Sequence, residues 1–199
     1  MICEKEINLF SFLKEIKKWN KTINLISSHD LNFLFSRHYL DSRALFDKIP
    51  PHSRIIDIGS GNGFPAIPLA IFRPDIEVIS VEAQQKKAVF LSNCQQMLSL
   101  NNYQVINTRI EDLSAVYRNS FSFITARAFS DINNIILLTN IYAQKICNYI
   151  IFNSLHNIDI STVQTRFKLV INIVQEYVYY LPDNIKRTLT HFSAEKKSV

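Results

Sequence analysis

Apolar residues along the chain follow two rhythms. From residue 4 to 19 the spacing is helical: Leu9, Phe12, Leu13, Ile16 and Trp19 share one face, while Lys5, Lys14, Lys17 and Lys18 sit mostly off it. A second helix is expected from Asp30, an N-cap residue type, to Asp47, before Pro50-Pro51 breaks the chain. Beyond that point short apolar runs alternate with helical stretches. Strands are expected at 54–58, 76–81, 104–108, 121–125 and 149–152, and helices at 64–72, 85–100, 111–117 and 131–146. Strands that alternate with helices predict a parallel, doubly wound sheet. The segment 168–181 reads differently, being long, partly alternating and rich in Val, Ile and Tyr; 187–192 is its expected antiparallel partner across Pro182-Asp183-Asn184.

Composition narrows the class without changing this picture. The chain has 199 residues, 47% hydrophobic and 20% charged, which suits one globular domain or one with a short appendage and excludes disordered and collagen-like chains. No apolar run reaches the roughly 18 residues that cross a bilayer, and MICEKEINLF lacks the basic and apolar regions of a signal peptide. A soluble, cytoplasmic protein is expected. Cys3, Cys94 and Cys147 lie far apart with no CxxC pairing, which argues for reduced thiols and against a disulfide framework or zinc site. His29, His52, His156 and His191 show no metal-ligand spacing, so no metal is expected. The net charge of +5 is compatible with a polyanionic partner and does not establish one.

Glycine changes the picture most. A chain of this length would ordinarily carry about 14. This one has three, Gly59, Gly61 and Gly63, all in the segment Ile55-Ile56-Asp57-Ile58-Gly59-Ser60-Gly61-Asn62-Gly63-Phe64-Pro65 between an expected strand and an expected helix. Ligands in open α/β sheets bind beyond the carboxyl ends of the strands, where glycine permits positive φ and lets a ligand approach bare backbone. The spacing is G-x-G-x-G and not the G-x-G-x-x-G of dinucleotide sites, which suits a ligand without a pyrophosphate, such as S-adenosylmethionine (SAM). Glu82, at the end of the next strand, could accept hydrogen bonds from both ribose hydroxyls. The alternative is a structural turn with a surface glutamate.

A parallel sheet finished by an antiparallel hairpin resembles the seven-stranded, Rossmann-like sheet of class I SAM-dependent methyltransferases, with residues 1–49 as an N-terminal helical cap and 50–199 as the core. Particular motifs resemble the glucose-inhibited division protein B family, bacterial 16S rRNA guanine-N7 methyltransferases. They are Lys18-Trp19-Asn20-Lys21, Arg37-His38-Tyr39-Leu40-Asp41-Ser42, the glycine turn with Pro65, Ile67-Pro68-Leu69-Ala70, Arg73-Pro74, Glu82 with Lys86-Lys87 and Phe90-Leu91, and Arg127-Ala128-Phe129. Together they run in order over about residues 10–155.

The resemblance implies methyl transfer from SAM to N7 of a guanine in 16S rRNA, within an assembled or assembling small ribosomal subunit. It implies a cofactor site of Gly59, Phe64, Ile110, Glu111 and Arg127, to which general geometry adds Gly61, Glu82 and Asp57. Arg37, His38 and Arg127 are the candidates for RNA contact; His38 could equally serve as a structural hydrogen-bonding group. Ala66 stands where the family usually has glycine, Ser60 where threonine is common, and Asn153-Ser154 where a Lys-Gly pair is usual. Guanine N7 carries a lone pair and no proton, so no catalytic general base is expected. Lys14, Lys17, Lys18 and Lys21 around Trp19 read either as an RNA contact with an aromatic platform or as the solvated face of a core helix. Tyr177, Tyr179 and Tyr180 are expected to pack the C-terminal hairpin. No dimerisation helix is evident, and a monomer is expected. The alternatives are a SAM methyltransferase of another substrate and a non-catalytic rRNA-binding assembly factor.

Overall fold

The computed structural model describes residues 3–127, 129–152, 165, 168–182 and 184–197. Asn153-Ser154 and His156 lie outside the described residues. Seven strands form one sheet in the order β3-β2-β1-β4-β5-β7-β6. They are β1 (Arg54–Ile58), β2 (Glu77–Val81), β3 (Tyr103–Ile106), β4 (Phe121–Ala126), β5 (Ala143–Ile151), β6 (Leu169–Tyr180) and β7 (Lys186–Lys196). β1 through β5 pair in parallel, and β7 runs antiparallel to both β5 and β6. The seven-stranded sheet with its terminal hairpin is therefore present, and the order reverses between β2-β1 and β4.

Each central strand is buried on both faces, which is why β1 and β4 read as near-continuous apolar runs. Ile55, Val78, Phe123 and Ile150 face one core, shared with α1 (Glu4–Trp19), α3 (Ala66–Phe72) and α4 (Gln85–Met97). Ile56, Ile79, Ile124 and Tyr149 face the other, covered by α5 (Ile132–Thr139). Helix α1 buries Leu9, Phe12, Leu13 and Ile16, and Phe12 meets Phe64 with ring centroids 5.1 Å apart. The N-terminal helix thus closes one face of the core beside the glycine turn. No helix among the described residues is long and apolar enough to cross a membrane.

Three expected helices differ. The stretch expected as one helix from Asp30 to Asp47 is a chain of short pieces. A 3-10 turn (Asp30–Phe33) leads into a π-helix (Leu34–Tyr39), then α2 (Leu40–Arg43) and a second 3-10 turn (Phe46–Lys48). Leu34 and Tyr39 are both buried although five residues apart. An α-helix would put them on different faces; a π-helix, with its i→i+5 hydrogen bonds, brings them together. The helix expected over 131–146 ends at Thr139, and Ala143 already begins β5, six residues before the expected strand. The helix expected over 111–117 is two 3-10 turns, Ile110–Asp112 and Ala115–Tyr117. Pro65 precedes the first turn of α3 as its N-cap.

Candidate functional site

The tips of β3, β2, β1 and β4 border one cleft of about 280 Å³. Its lining follows the spatial order of the strands: Ile110 and Glu111 beyond β3, Glu82 beyond β2, Gly59 and Gly61 beyond β1, Phe129 beyond β4. A ligand lying there would span the point where strand order reverses, as is general for open α/β sheets.

The three glycines, all at positive φ, do different things. At Gly59 a Cβ would come within 2.5 Å of the Phe129 ring. Glycine is needed there because an aromatic side chain of the same protein lies on it. At Gly63 a Cβ would meet Ile67 at 2.7 Å and Phe12 at 3.1 Å, so that glycine lets α1 and α3 close over the turn. At Gly61 the nearest atom is the Gly59 carbonyl oxygen at 3.6 Å, and the space is open. Only Gly61 offers bare main chain to a ligand.

Glu82 is 5% exposed, and its carboxylate is fixed from both sides. Oε2 accepts the Gly61 N–H at 2.8 Å and Oε1 accepts the Gln84 N–H at 2.8 Å. Each oxygen keeps a lone pair for a further donor. The Asn107 amide donates to the Glu82 carbonyl at 2.8 Å and ties this tip to β3. Beneath the turn Asp57 is fully buried. Its Oδ1 accepts the Thr125 hydroxyl at 2.8 Å, while Oδ2 has no partner. Burial pushes its carboxyl up to about 7, against the opposing Thr125 hydrogen bond, while the Ser60 hydroxyl donates to the Asp57 main-chain carbonyl at 2.9 Å.

A second cluster lies where the cap meets β4 and the C-terminal hairpin. The Arg127 guanidinium lies over the Phe64 ring, 5.5 Å from its centroid, and donates to His38 Nδ1 at 2.6 Å. That bond leaves the proton of a neutral imidazole on Nε2, which is buried without a partner. Burial and the Arg127 charge push His38 down to about 4. Asp41, also buried, accepts the Tyr179 hydroxyl at 2.8 Å and lies 3.4 Å from Arg187 and 4.0 Å from Arg127. Burial raises its carboxyl, against the Tyr179 hydrogen bond and the Arg187 charge. Arg37 is drawn to the preceding 3-10 turn, donating to Asp30 at 3.2 Å with its guanidinium 3.8 Å from the Phe33 centroid.

The structure therefore gathers Gly59, Gly61, Glu82, Ile110 and Glu111 around the cleft. It puts Asp57 beneath the turn, and Phe64 with Arg127 and His38 in the neighbouring cluster; none of these four is among the cleft-lining residues. Sequence reasoning assigned no place in the cofactor site to Phe129, Lys87, Thr108 or Arg109, which also line the cleft. Phe129 and Lys87 belong to the motifs Arg127-Ala128-Phe129 and Lys86-Lys87, and Thr108 and Arg109 immediately precede Ile110. Tyr179 does more than pack the hairpin, because its hydroxyl reaches the cap. Trp19 is no open platform: its indole N–H donates to Glu15 at 2.7 Å and its ring meets Phe90 edge-on at 5.7 Å. Of the nearby lysines, Lys18 pairs with Glu15, while Lys14 and Lys17 border an apolar groove with Phe10 and Phe35. No group of His, Cys, Asp and Glu among the described residues could hold a metal ion.

Comparison with known proteins gives this arrangement a lineage. The profile of the GidB family, rRNA small subunit methyltransferase G, matches residues 5–177. The ribosomal RNA small subunit methyltransferase G of Geobacter sp. (strain M21) is 37% identical over 134 residues, covering 67% of this chain and 61% of that protein. Its counterpart in Geobacter metallireducens (strain ATCC 53774 / DSM 7210 / GS-15) is 39% identical over 121 residues, 61% of this chain and 55% of that protein. The chain thus spans about three-fifths of the length of the curated relatives it matches. Among solved structures, M. jannaschii TYW2 in complex with AdoMet aligns with a TM-score of 0.67 at 11% identity, over 89% of this chain and 80% of that one. A SAM-dependent methyltransferase from Aquifex aeolicus aligns with a TM-score of 0.58 at 12% identity, over 92% and 98%. These likenesses establish the class I, Rossmann-like methyltransferase fold. With the profile spanning most of its length, the chain belongs to the rRNA small subunit methyltransferase G (GidB) family.

Proposed function

We propose that this protein transfers a methyl group from SAM to N7 of a guanine in 16S rRNA. The observation that carries the reading is the pairing of open main chain at Gly61 with the doubly anchored Glu82 carboxylate. The residues fit the donor. A vicinal diol needs two acceptors held side by side, and Glu82 presents two oxygens that are already oriented. Ile110 and Glu111 border the end of the cleft beyond Glu82, where the adenine would lie, and the amino-acid part would rest on the bare turn at Gly61. Asp57, with its unsatisfied oxygen beneath that turn, contributes negative potential at the amino-acid end when ionised. Phe64, which follows Gly63, packs its ring on Phe12 of α1.

Bound SAM supplies an electrophilic methyl on a sulfonium. The protein's part is to orient, to exclude water and to stabilise charge. N7 has no proton to lose, so no side chain need act as a base. Alignment of two reacting centres alone can lower a barrier by roughly 7–11 kcal/mol. Arg127, His38 and Arg37 form the RNA side in this reading. Arg127 is held by His38 and Asp41, and its guanidinium could read guanine O6 while leaving N7 free. The substrate is an rRNA already folded with ribosomal proteins, and the protein acts as a monomer. Calorimetry with SAM, followed by methylation of small subunits and mapping by N7-specific cleavage with reverse transcription, tests the reading. Absence of SAM binding, or a methyl group at another atom, overturns it.

A further inference from the structure

The cleft has an aromatic wall whose purpose the reading above leaves open. Phe129 follows β4, is 38% exposed, and lies on Gly59 closely enough that any Cβ there would collide with its ring. The ring thus packs against the backbone of the glycine turn, and Phe129 also lines the cleft.

The order of strand tips says which part of a ligand this ring meets. Glu82, the diol acceptor, stands at the tip of β2, with Ile110 and Glu111 beyond β3 on one side of it. A donor whose ribose is at Glu82 and whose adenine lies toward β3 must send its sulfur toward β1 and β4. Phe129 borders that end. Arg127, the nearest fixed cation in sequence, is held away over Phe64 by His38 and Asp41. The β4 end of the cleft is thus bordered by Phe129, and Arg127 is not among the residues that line it.

We infer that Phe129 is a specificity-determining residue that recognises the positive charge of the sulfonium through its π face, and so distinguishes the methyl donor from its neutral thioether product. This rests on the SAM site proposed above. The ring quadrupole attracts a cation and has no comparable attraction for S-adenosylhomocysteine, which shares every other group. The chain would therefore load the charged donor in preference to the spent one, with no change in the contacts to adenine or ribose.

The test is equilibrium calorimetry on the full chain with SAM and with S-adenosylhomocysteine. Position 129 carries phenylalanine, mono-, di- or trifluorophenylalanine introduced by codon suppression, or leucine. Fluorination drains the π face while largely keeping the ring's shape. The expected result is a stepwise loss of SAM affinity with each fluorine, reaching about three- to tenfold in Phe129→Leu, while affinity for S-adenosylhomocysteine stays constant within about twofold. Equal weakening of both ligands would make Phe129 a mere packing surface and overturn the inference. So would an unchanged affinity ratio across the series. Wild-type protein that binds neither ligand would overturn the proposed function itself, a result distinct from the other two.

Discussion

Two buried titratable groups near the cleft should give this protein an unusual response to pH. Asp57 holds its proton up to about 7 in the folded state, against an ordinary value of 3.8. Between those values the folded chain binds more protons than the unfolded one, so stability falls as pH rises. His38 acts oppositely, because its folded value is about 4 against 6.5. Between about 4 and 6.5 the folded chain binds fewer protons there, and stability falls as pH drops. At 1.36 kcal/mol per unit, Asp57 corresponds to about 4 kcal/mol and His38 to about 3 kcal/mol. The two slopes nearly cancel below about pH 6.5, and above it the Asp57 slope acts alone. Asp41, raised in the same direction, adds to the Asp57 side. The perturbation is Asp57→Asn, which keeps an acceptor for Thr125 and removes the titration. Urea unfolding of both proteins between about pH 4.5 and pH 8 measures it. Relative to the wild type, the variant should lose a constant amount for its unsatisfied amide and gain steadily as pH rises from about 4 to about 7, because only the wild type carries the Asp57 slope. Parallel profiles for the two proteins would refute the assignment of an elevated carboxyl to Asp57.

The glycine turn separates packing from binding. Gly63→Ala forces a Cβ against Ile67 and Phe12 at positive φ and should cost about 2–4 kcal/mol in urea unfolding; a loss under about 1 kcal/mol would show that α1 does not close over the turn. Gly61→Val meets no such neighbour, so calorimetry should show SAM affinity reduced about tenfold or more, with only about 1–2 kcal/mol of stability lost to backbone strain. Tyr179→Phe removes the hydroxyl that Asp41 accepts and should cost about 1.5–3 kcal/mol by thermal unfolding, with hydrogen exchange rising in both the cap and β6 if the bond joins them.

The parallel half of the sheet was legible because each strand is short, apolar and bounded by a turn, and because the glycine turn fixes where β1 stops. The antiparallel tail was legible because alternation over 168–181 differs from those buried runs. Boundaries failed for a physical reason tied to composition. A chain with glycine only at its ligand turn makes its other left-handed positions from other residues, among the described ones His52, Ser99, Asn119, Lys168 and Asn184, none of which punctuates a sequence as glycine does. The stop of α4 at Met97 beside left-handed Ser99 is one such case; the stop of α5 is another kind, since its C-cap Asn140 stays right-handed while Ile132 to Ile151 carries apolar residues throughout. The segment from Asp30 to Lys48 failed because tertiary burial of both Leu34 and Tyr39 selects a wide turn that helical periodicity does not encode. In the site, Glu82 and Gly61 were visible as an acid and a glycine after strands. Phe129 was visible only as part of a motif, because its closeness to Gly59 joins two loops seventy residues apart. The cluster of Asp41, Arg127, Tyr179 and Arg187 unites cap, core and hairpin, and no local pattern announces it.

The position of β7 between β5 and β6 bears on how this chain must be made. During synthesis β6 leaves the ribosome with no neighbour, since the strand that will hydrogen-bond to it has not yet been translated. The outer edge of β5 is bare for the same interval. Two adhesive strand edges therefore coexist on the nascent chain until β7 arrives and joins them at once, and the Tyr179 hydroxyl can settle on Asp41 only after that closure. A pause in translation between β6 and β7 would prolong the moment at which two such chains are most prone to pair with each other.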